Sequence, residues 1–303
     1  MNFRHHLSTL LTLVLLCFPF INTYAQTTLS PTDHCRNFSA DAIVSFADQD
    51  LAEVVNDALG LDSQAPLTCG QAAELEQLIV GTTIERVVYG GTLRPSPEKP
   101  FESLEGIQNL TGLTRLILIN RLITDISPFR SWTNLVNLNL HTNWFNDLSP
   151  VSGLTNLEQL VVSENPIFDI SPLAGLTKLR RLQVHDLYLH QLQHYLDMDD
   201  GRDPNVVFNG ITDISALAGL TEMRLLRIHL NAISDIGPLA NLTKLTHLRI
   251  YNSEIKDISA LAKMNELPLL WANNNHIENK SAQRGKPYLV LLRWHENATT
   301  TTG

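Results

Sequence analysis

The sequence predicts an α/β fold: a right-handed solenoid whose short strands stack into one curved parallel sheet behind a helical N-terminal cap. Three observations predict it. An Asp-Ile or Asp-Leu pair returns every 22 residues, at Asp125, Asp147 and Asp169 and again at Asp213, Asp235 and Asp257. The one wider step, from Asp169 to Asp213, is 44 residues, so the phase survives it. A fixed period of this length marks a chain of stacked turns. Leucines also alternate: Leu138 and Leu140 flank Asn139 and point to one face of a short strand, and Leu160/Val162, Leu226/Ile228 and Leu248/Ile250 repeat the pattern. Finally, Asn143, Asn165, Asn209, Asn231, Asn275 and Asn297 fall in one column, where a buried amide can satisfy backbone groups turn after turn. Arg121, Leu187 and Ser253 interrupt that column.

Residues 1–25 read as a cleavable leader, with Arg4 before an apolar core from Leu10 to Phe20 and small residues around Tyr24. The apolar run is short for a membrane span. Cys17 follows Leu16, which does not suit a lipoprotein cleavage box. Losing Arg4 with the leader leaves 21 basic against 31 acidic side chains, a net charge of −10. Such a surface argues against nucleic acid and anionic membranes as partners.

Residues 26–101 read as the N-terminal cap, needed because the end of a solenoid exposes apolar core. Leu51, Val54, Val55, Ala58 and Leu59 have helical spacing, with Asp48 or Asp50 as cap and Gly60 as stop. Thr68 and Gln71 form a capping box before a second apolar run through Leu75 and Leu78. Ile84–Tyr89 is a strand candidate, and Gly90–Pro100 is a loop by composition and expected to be mobile. Cys35 and Cys69, an even pair in an oxidising compartment, are expected to join. Closing that loop stabilises the cap by roughly 3–4 kcal/mol in the chain-entropy view.

Residues 102–280 carry the repeats. In each, Ser-Pro after the Asp sets the backbone direction where the chain turns back over the convex side. The segment 187–208 reads as a degenerate repeat, because the period is kept although Pro204 stands where an inward Leu belongs; a looped-out insertion is the alternative. His190 and His194 share a helical face there, near Asp197, Asp199, Asp200 and Asp203. These types can bind zinc, but a solvated helix face and acidic loop account for them, and no metal or cofactor is assigned. Residues 281–297, with Leu289, Leu292 and Trp294 in phase, form a last capping turn, and 298–303 are expected to be disordered.

NLTGLTRL, GLTNLEQL, GLTKLRRL, NLTKLTHL and, at Ser103, SLEGIQNL resemble the internalin-type leucine-rich repeats of bacterial surface and secreted proteins, over roughly residues 40–297. The resemblance implies a leucine-rich repeat solenoid and a binding protein without catalysis. The chain departs from the best-known members: no immunoglobulin-like length follows the repeats, and no LPxTG sorting signal occurs. Release, or noncovalent retention at the periplasm or cell surface, is the expectation. Catalytic motifs such as G-x-S-x-G, H-E-x-x-H, the P-loop and C-x-x-C are missing from the sequence, so the chain is read as no enzyme.

The ligand face follows from reading the sheet sideways. One outward column contributes Arg181 and His247; the middle one Arg227, Arg249, Trp271 and Arg293; the next His185, His229, Tyr251 and His295. Arginine with Trp and Tyr is the composition of binding hot spots, and like charges on neighbouring strands repel unless something intervenes. The expected partner of this monomer is an acidic protein surface or anionic glycan, or alternatively a protein of the same cell's envelope that it bridges as a scaffold. With regular stacking, His141, His185 and His229 stand two strands apart; with the insertion looped out, His185 and His229 become neighbours. Histidines near their ordinary pKa of about 6.5 would strengthen acidic-ligand binding at mildly acidic pH.

Overall fold

The structure, a computed structural model, describes residues 26–81, 100–185 and 210–278. Two helices build the cap. In α1 (Gln49–Ala58) Asp48 is the N-cap, its side chain accepting from the Leu51 N–H, and Leu51, Val55 and Asn56 are buried. The other Asp48 oxygen accepts from Glu102 N at 2.6 Å, tying the helix start to the first repeat. In α2 (Cys69–Glu74) the capping box forms: Thr68 Oγ1 accepts from Gln71 N, and Gln71 Oε1 accepts from Thr68 N. Cys35 and Cys69 are disulfide-bonded, with a Cα–Cα distance of 5.5 Å. Beside the bridge, Asn109 Oδ1 accepts from Cys35 N and its Nδ2 donates to Asp33 O, so the first repeat is laced to the cap. Gly106 sits in that seam with φ +107, and a Cβ there would stand 2.6 Å from Ser45 O.

The second helix ends sooner than its apolar run suggests. Leu75 is already extended, and Leu78 belongs to the first strand, β1 (Gln77–Val80). Leu78 and Val80 face inward and Gln77 and Ile79 outward, so the period is two and the helix cannot continue. The strand candidate at Ile84 and the loop from Gly90 lie outside the described residues, as do the capping turn 281–297, the leader, the tail and the His190–Asp203 cluster.

Seven further strands follow: β2 (Arg115–Leu118), β3 (Asn137–Asn139), β4 (Gln159–Val161), β5 (Arg181–Gln183), β6 (Leu225–Arg227), β7 (His247–Arg249) and β8 (Leu269–Trp271). They pair in chain order, all parallel, in one open curved sheet. Leu78, Leu116, Leu138, Leu160, Leu182, Leu226, Leu248 and Leu270 are in register and buried. Each contributes roughly 1.5–3 kcal/mol relative to exposure.

Opposite the sheet the chain returns through short 3-10 turns such as Ser127–Ser131, Ser149–Val151 and Ser171–Gly175. The repeating Asp explains their start: Asp125, Asp147, Asp169 and Asp257 each accept from the N–H and hydroxyl of the Ser two residues on. Proline follows at Pro128, Pro150 and Pro172, where a turn tolerates a missing N–H.

Asn143 Nδ2 donates to Leu118 O and Leu140 O, while its Oδ1 accepts from Arg121 N and Ile123 N. Asn165, Asn231 and Asn275 donate in the same way to strand carbonyls. The residue before this column is left-handed in six turns, at Asn120, Thr142, Glu164, Leu230, Asn252 and Asn274. In four of the six, the buried amide of Asn143, Asn165, Asn231 or Asn275 follows that sharp bend.

The expected degenerate repeat does not occupy a place in the sheet. β5 and β6 are hydrogen-bonded neighbours with Gln183 opposite Arg227, and Asn231 Nδ2 donates directly to Val184 O at 3.0 Å. The 44-residue step therefore crosses a single strand spacing, which leaves no place for a further strand between β5 and β6. Residues 186–209 themselves lie outside the described residues.

Candidate binding face

The register gives the concave middle column directly: Ile79, Ile117, Asn139, Val161, Gln183, Arg227, Arg249 and Trp271. The column before it runs Gln77, Arg115, Asn137, Gln159, Arg181, Leu225, His247 and Leu269. Two residues beyond the middle column stand His141, Ser163, His185, His229, Tyr251 and Asn273. No Asp or Glu occupies any of these positions, although the whole chain carries a formal charge of −9. The face has two characters. Isoleucines Ile79 (41% exposed) and Ile117 mark its N-terminal end, and arginines and rings its C-terminal end.

Direct pairing of β5 with β6 builds a continuous stack of rings. His185 lies 4.1 Å from His229 between ring centroids, and His229 lies 4.2 Å from Tyr251. Tyr251 then stands 6.2 Å from Trp271, tilted by 40°. The Arg249 guanidinium lies 4.0 Å over the Trp271 ring, a cation–π contact. Arg227 Nη1 donates to Gln183 Oε1 at 3.0 Å. Thus Arg181, His185, Arg227, His229, His247, Arg249, Tyr251 and Trp271 come together on four adjacent strands, His247 at the exposed margin beside Thr246. Arg293 and His295 lie outside the described residues.

Gln183 was not singled out by the sequence reading, because an intervening repeat separated it from Arg227. Ile79 was missed with its strand; the alternation of Leu78 and Val80 around it was the available signal.

The histidines depart from the pH expectation. Burial, then His141, Arg227 and Arg249, lowers His185 to about 3. Burial, then His185, Arg249 and Arg227, lowers His229 to about 2. Both rings are neutral at pH 5.5 as at pH 7.5, so they add no positive charge in mild acid. Arg227 is also lowered from its ordinary value, by burial and by the repulsion of Arg249 and Arg181.

Ser163 Oγ lies 2.8 Å from His185 Nδ1, the separation of a nucleophile and its base. The chemistry does not follow. A base held near 3 is far from the value useful at neutral pH, and Ser163 is only 1% exposed. The pair is a buried hydrogen bond between strands. Glu164, next to Ser163 in the chain, pairs with Thr142 Oγ1 (3.1 Å) and His141 Nε2 (3.8 Å). Among the described residues no three His, Cys, Asp or Glu side chains cluster to hold a metal.

A parallel sheet of 22-residue turns closed by an asparagine column is a leucine-rich repeat solenoid, the class to which the family model for two copies of the leucine-rich repeat assigns residues 221–263. Internalin C2 of Listeria monocytogenes is 31% identical over 78% of this chain and 89% of its own, with a TM-score of 0.60. An internalin (inlF) of the same organism is 32% identical over 78% of this chain and 72% of its own, with a TM-score of 0.45. The chain belongs to the internalin family of leucine-rich repeat proteins. A search of curated proteins finds no match. Solenoids of this kind are binding scaffolds whose extended concave surfaces receive partners. No helix among the described residues is long and apolar enough to cross a membrane.

Proposed function

We propose that this chain is a non-catalytic recognition module that acts outside the cytoplasm and binds a protein through its concave face, preferring an acidic surface. One observation carries the reading: Arg115, Arg181, Arg227 and Arg249 share a face whose described strand positions hold no carboxylate, on a chain whose net charge is −9. Segregating charge against the molecular net in this way steers an acidic partner to one face. Arg249, Tyr251 and Trp271 supply the residue types that dominate interface energetics. The Cys35–Cys69 bridge and the apolar stretch Leu10–Phe20 support an exported chain.

The test is a pulldown with residues 26–303 against the producing cell's envelope and candidate host surfaces, run beside Arg227→Glu/Arg249→Glu. The expected result is a protein captured by the wild type and at least tenfold depleted with the variant. A partner from the cell's own envelope assigns a scaffold role to the same face. Equal capture by both proteins would move the site off the concave strands.

A further inference from the structure

Every cation on the concave strands is an arginine. The described lysines, Lys178, Lys244, Lys256 and Lys263, all stand off those columns. Arginine and lysine carry the same charge but differ in shape: a guanidinium is a planar fork that matches a carboxylate through two parallel hydrogen bonds, whereas an ammonium is a point charge. Arg227 and Arg249 are register partners on adjacent strands, about 4.8 Å apart along the sheet. Arg181 stands one strand before Arg227, in the adjoining column. None of the three is paired with a carboxylate among the described residues, whose ion pairs join other groups.

Two of these guanidiniums are held in place before any ligand arrives. Trp271 supports Arg249 from one face, and Gln183, itself buried, takes one Arg227 donor. The Nε atoms of Arg181 and Arg227 are buried without a hydrogen-bond partner. Three like charges are thus concentrated with no counter-charge among the described residues. An anion seated beside them relieves the repulsion.

We infer that Arg181, Arg227 and Arg249 form a preset seat for carboxylates, so that the partner meets it with an acidic peptide segment carrying adjacent Asp or Glu side chains. This inference rests on the concave-face reading above. A sulfate also offers two oxygens to a guanidinium fork, so a sulfated glycan is the competing occupant that the titration below separates. The free methylene stems of Glu side chains also suit the neighbouring Tyr251 and Trp271 rings.

The experiment is calorimetric titration of the purified chain with a hexaglutamate peptide and, separately, with a sulfated hexasaccharide at the same ionic strength. Wild type is compared with Arg227→Lys/Arg249→Lys, which keeps the charge and removes the forks, and with Arg227→Gln/Arg249→Gln. Hexaglutamate is expected to bind wild type, about tenfold more weakly to the Lys variant, and not measurably to the Gln variant, with the hexasaccharide weaker throughout. Wild-type affinity in the Lys variant overturns the seat, since charge alone then suffices. So does tighter binding of the hexasaccharide, or no binding of hexaglutamate to wild type. If hexaglutamate fails while a captured protein is still lost on charge reversal, the carboxylate seat falls and the recognition reading stands. Failure of both removes both.

Discussion

Replacing Asn143 by alanine should lower the stability of this protein by about 3–5 kcal/mol, more than truncating an ordinary polar side chain. Asn143 has no exposure to solvent and serves five backbone groups drawn from two adjacent turns. Without it, the N–H groups of Arg121 and Ile123 and the carbonyl of Leu118 lose a partner in a dry interior, while Leu140 O keeps Asn165 Nδ2. Each such loss costs roughly 1–3 kcal/mol, less where water can enter. Asn143→Asp should do no better, since it keeps the acceptor, removes both donors and buries a carboxylate. Asn137→Ala on the concave surface is the control and should move stability by less than about 0.5 kcal/mol. Guanidinium unfolding at unchanged slope checks the claim. A loss below about 1 kcal/mol for Asn143→Ala would show that the asparagine column is dispensable.

Acid should destabilise the fold well before its carboxylates titrate. His185 and His229 are held at about 3 and about 2, against an ordinary value of 6.5 in the unfolded chain. Above pH 6.5 both rings are neutral in either state, and the full stability is present. Below it the unfolded chain takes up two protons that the folded chain refuses. Stability then falls by about 1.4 kcal/mol per histidine for each pH unit, until the folded values are reached. The lowered carboxylates act in the same direction but later: Asp147 and Asp213, stabilised first by the Ser149 and Ser215 N–H groups, and Glu222, stabilised by Lys244, lose their contribution only below about pH 4.5. The window from pH 6.5 to 5 therefore isolates the histidines. Melting temperature followed by circular dichroism should drop steadily across it for the wild type and stay nearly level for His185→Phe/His229→Phe. Equal slopes would mean that the two rings titrate normally and are not buried together. By the same argument, these rings lend no positive charge to acidic-ligand binding between pH 5.5 and 7.5.

The parts of the fold that were legible in the sequence are those where one residue type has one physical job. Inward leucines at period two, the amide of Asn143, the carboxylate of Asp125 over Ser127 and the reciprocal pair Thr68–Gln71 each announce their own structure. The first strand was not legible because Gln77–Val80 follows α2 after two residues and is not followed by the asparagine of the repeat frame. The 44-residue step was ambiguous for a different reason. A period counts residues and not strand spacings, so a degenerate repeat and an excluded one preserve it equally. Pro204 was the local sign against a central strand, and the direct pairing of Leu182 with Leu226 decides it.

The binding face inherits that ambiguity. Residue types were readable column by column, but the contacts between columns depended on which strands touch. Once β5 abuts β6, His185 stacks on His229 and Gln183 reaches Arg227, and the burial that neutralises the imidazoles follows. Charge segregation was half visible: arginines could be placed on the concave side, while the lack of any acid there needed the register of all eight strands.

The central question is whether that arginine-and-ring surface receives the partner. The most direct measurement is the equilibrium affinity of a captured partner for two charge-reversed proteins, one on the concave strands (Arg227→Glu/Arg249→Glu) and one off them (Arg180→Glu/Lys244→Glu). Arg180 and Lys244 already pair with Glu158 and Glu222 on the exposed surface, so their reversal changes net charge equally without touching the face. Affinity should fall at least tenfold for the concave pair and less than twofold for the other. Equal losses would reduce the effect to net charge, and a loss confined to the second pair would place recognition on a different surface.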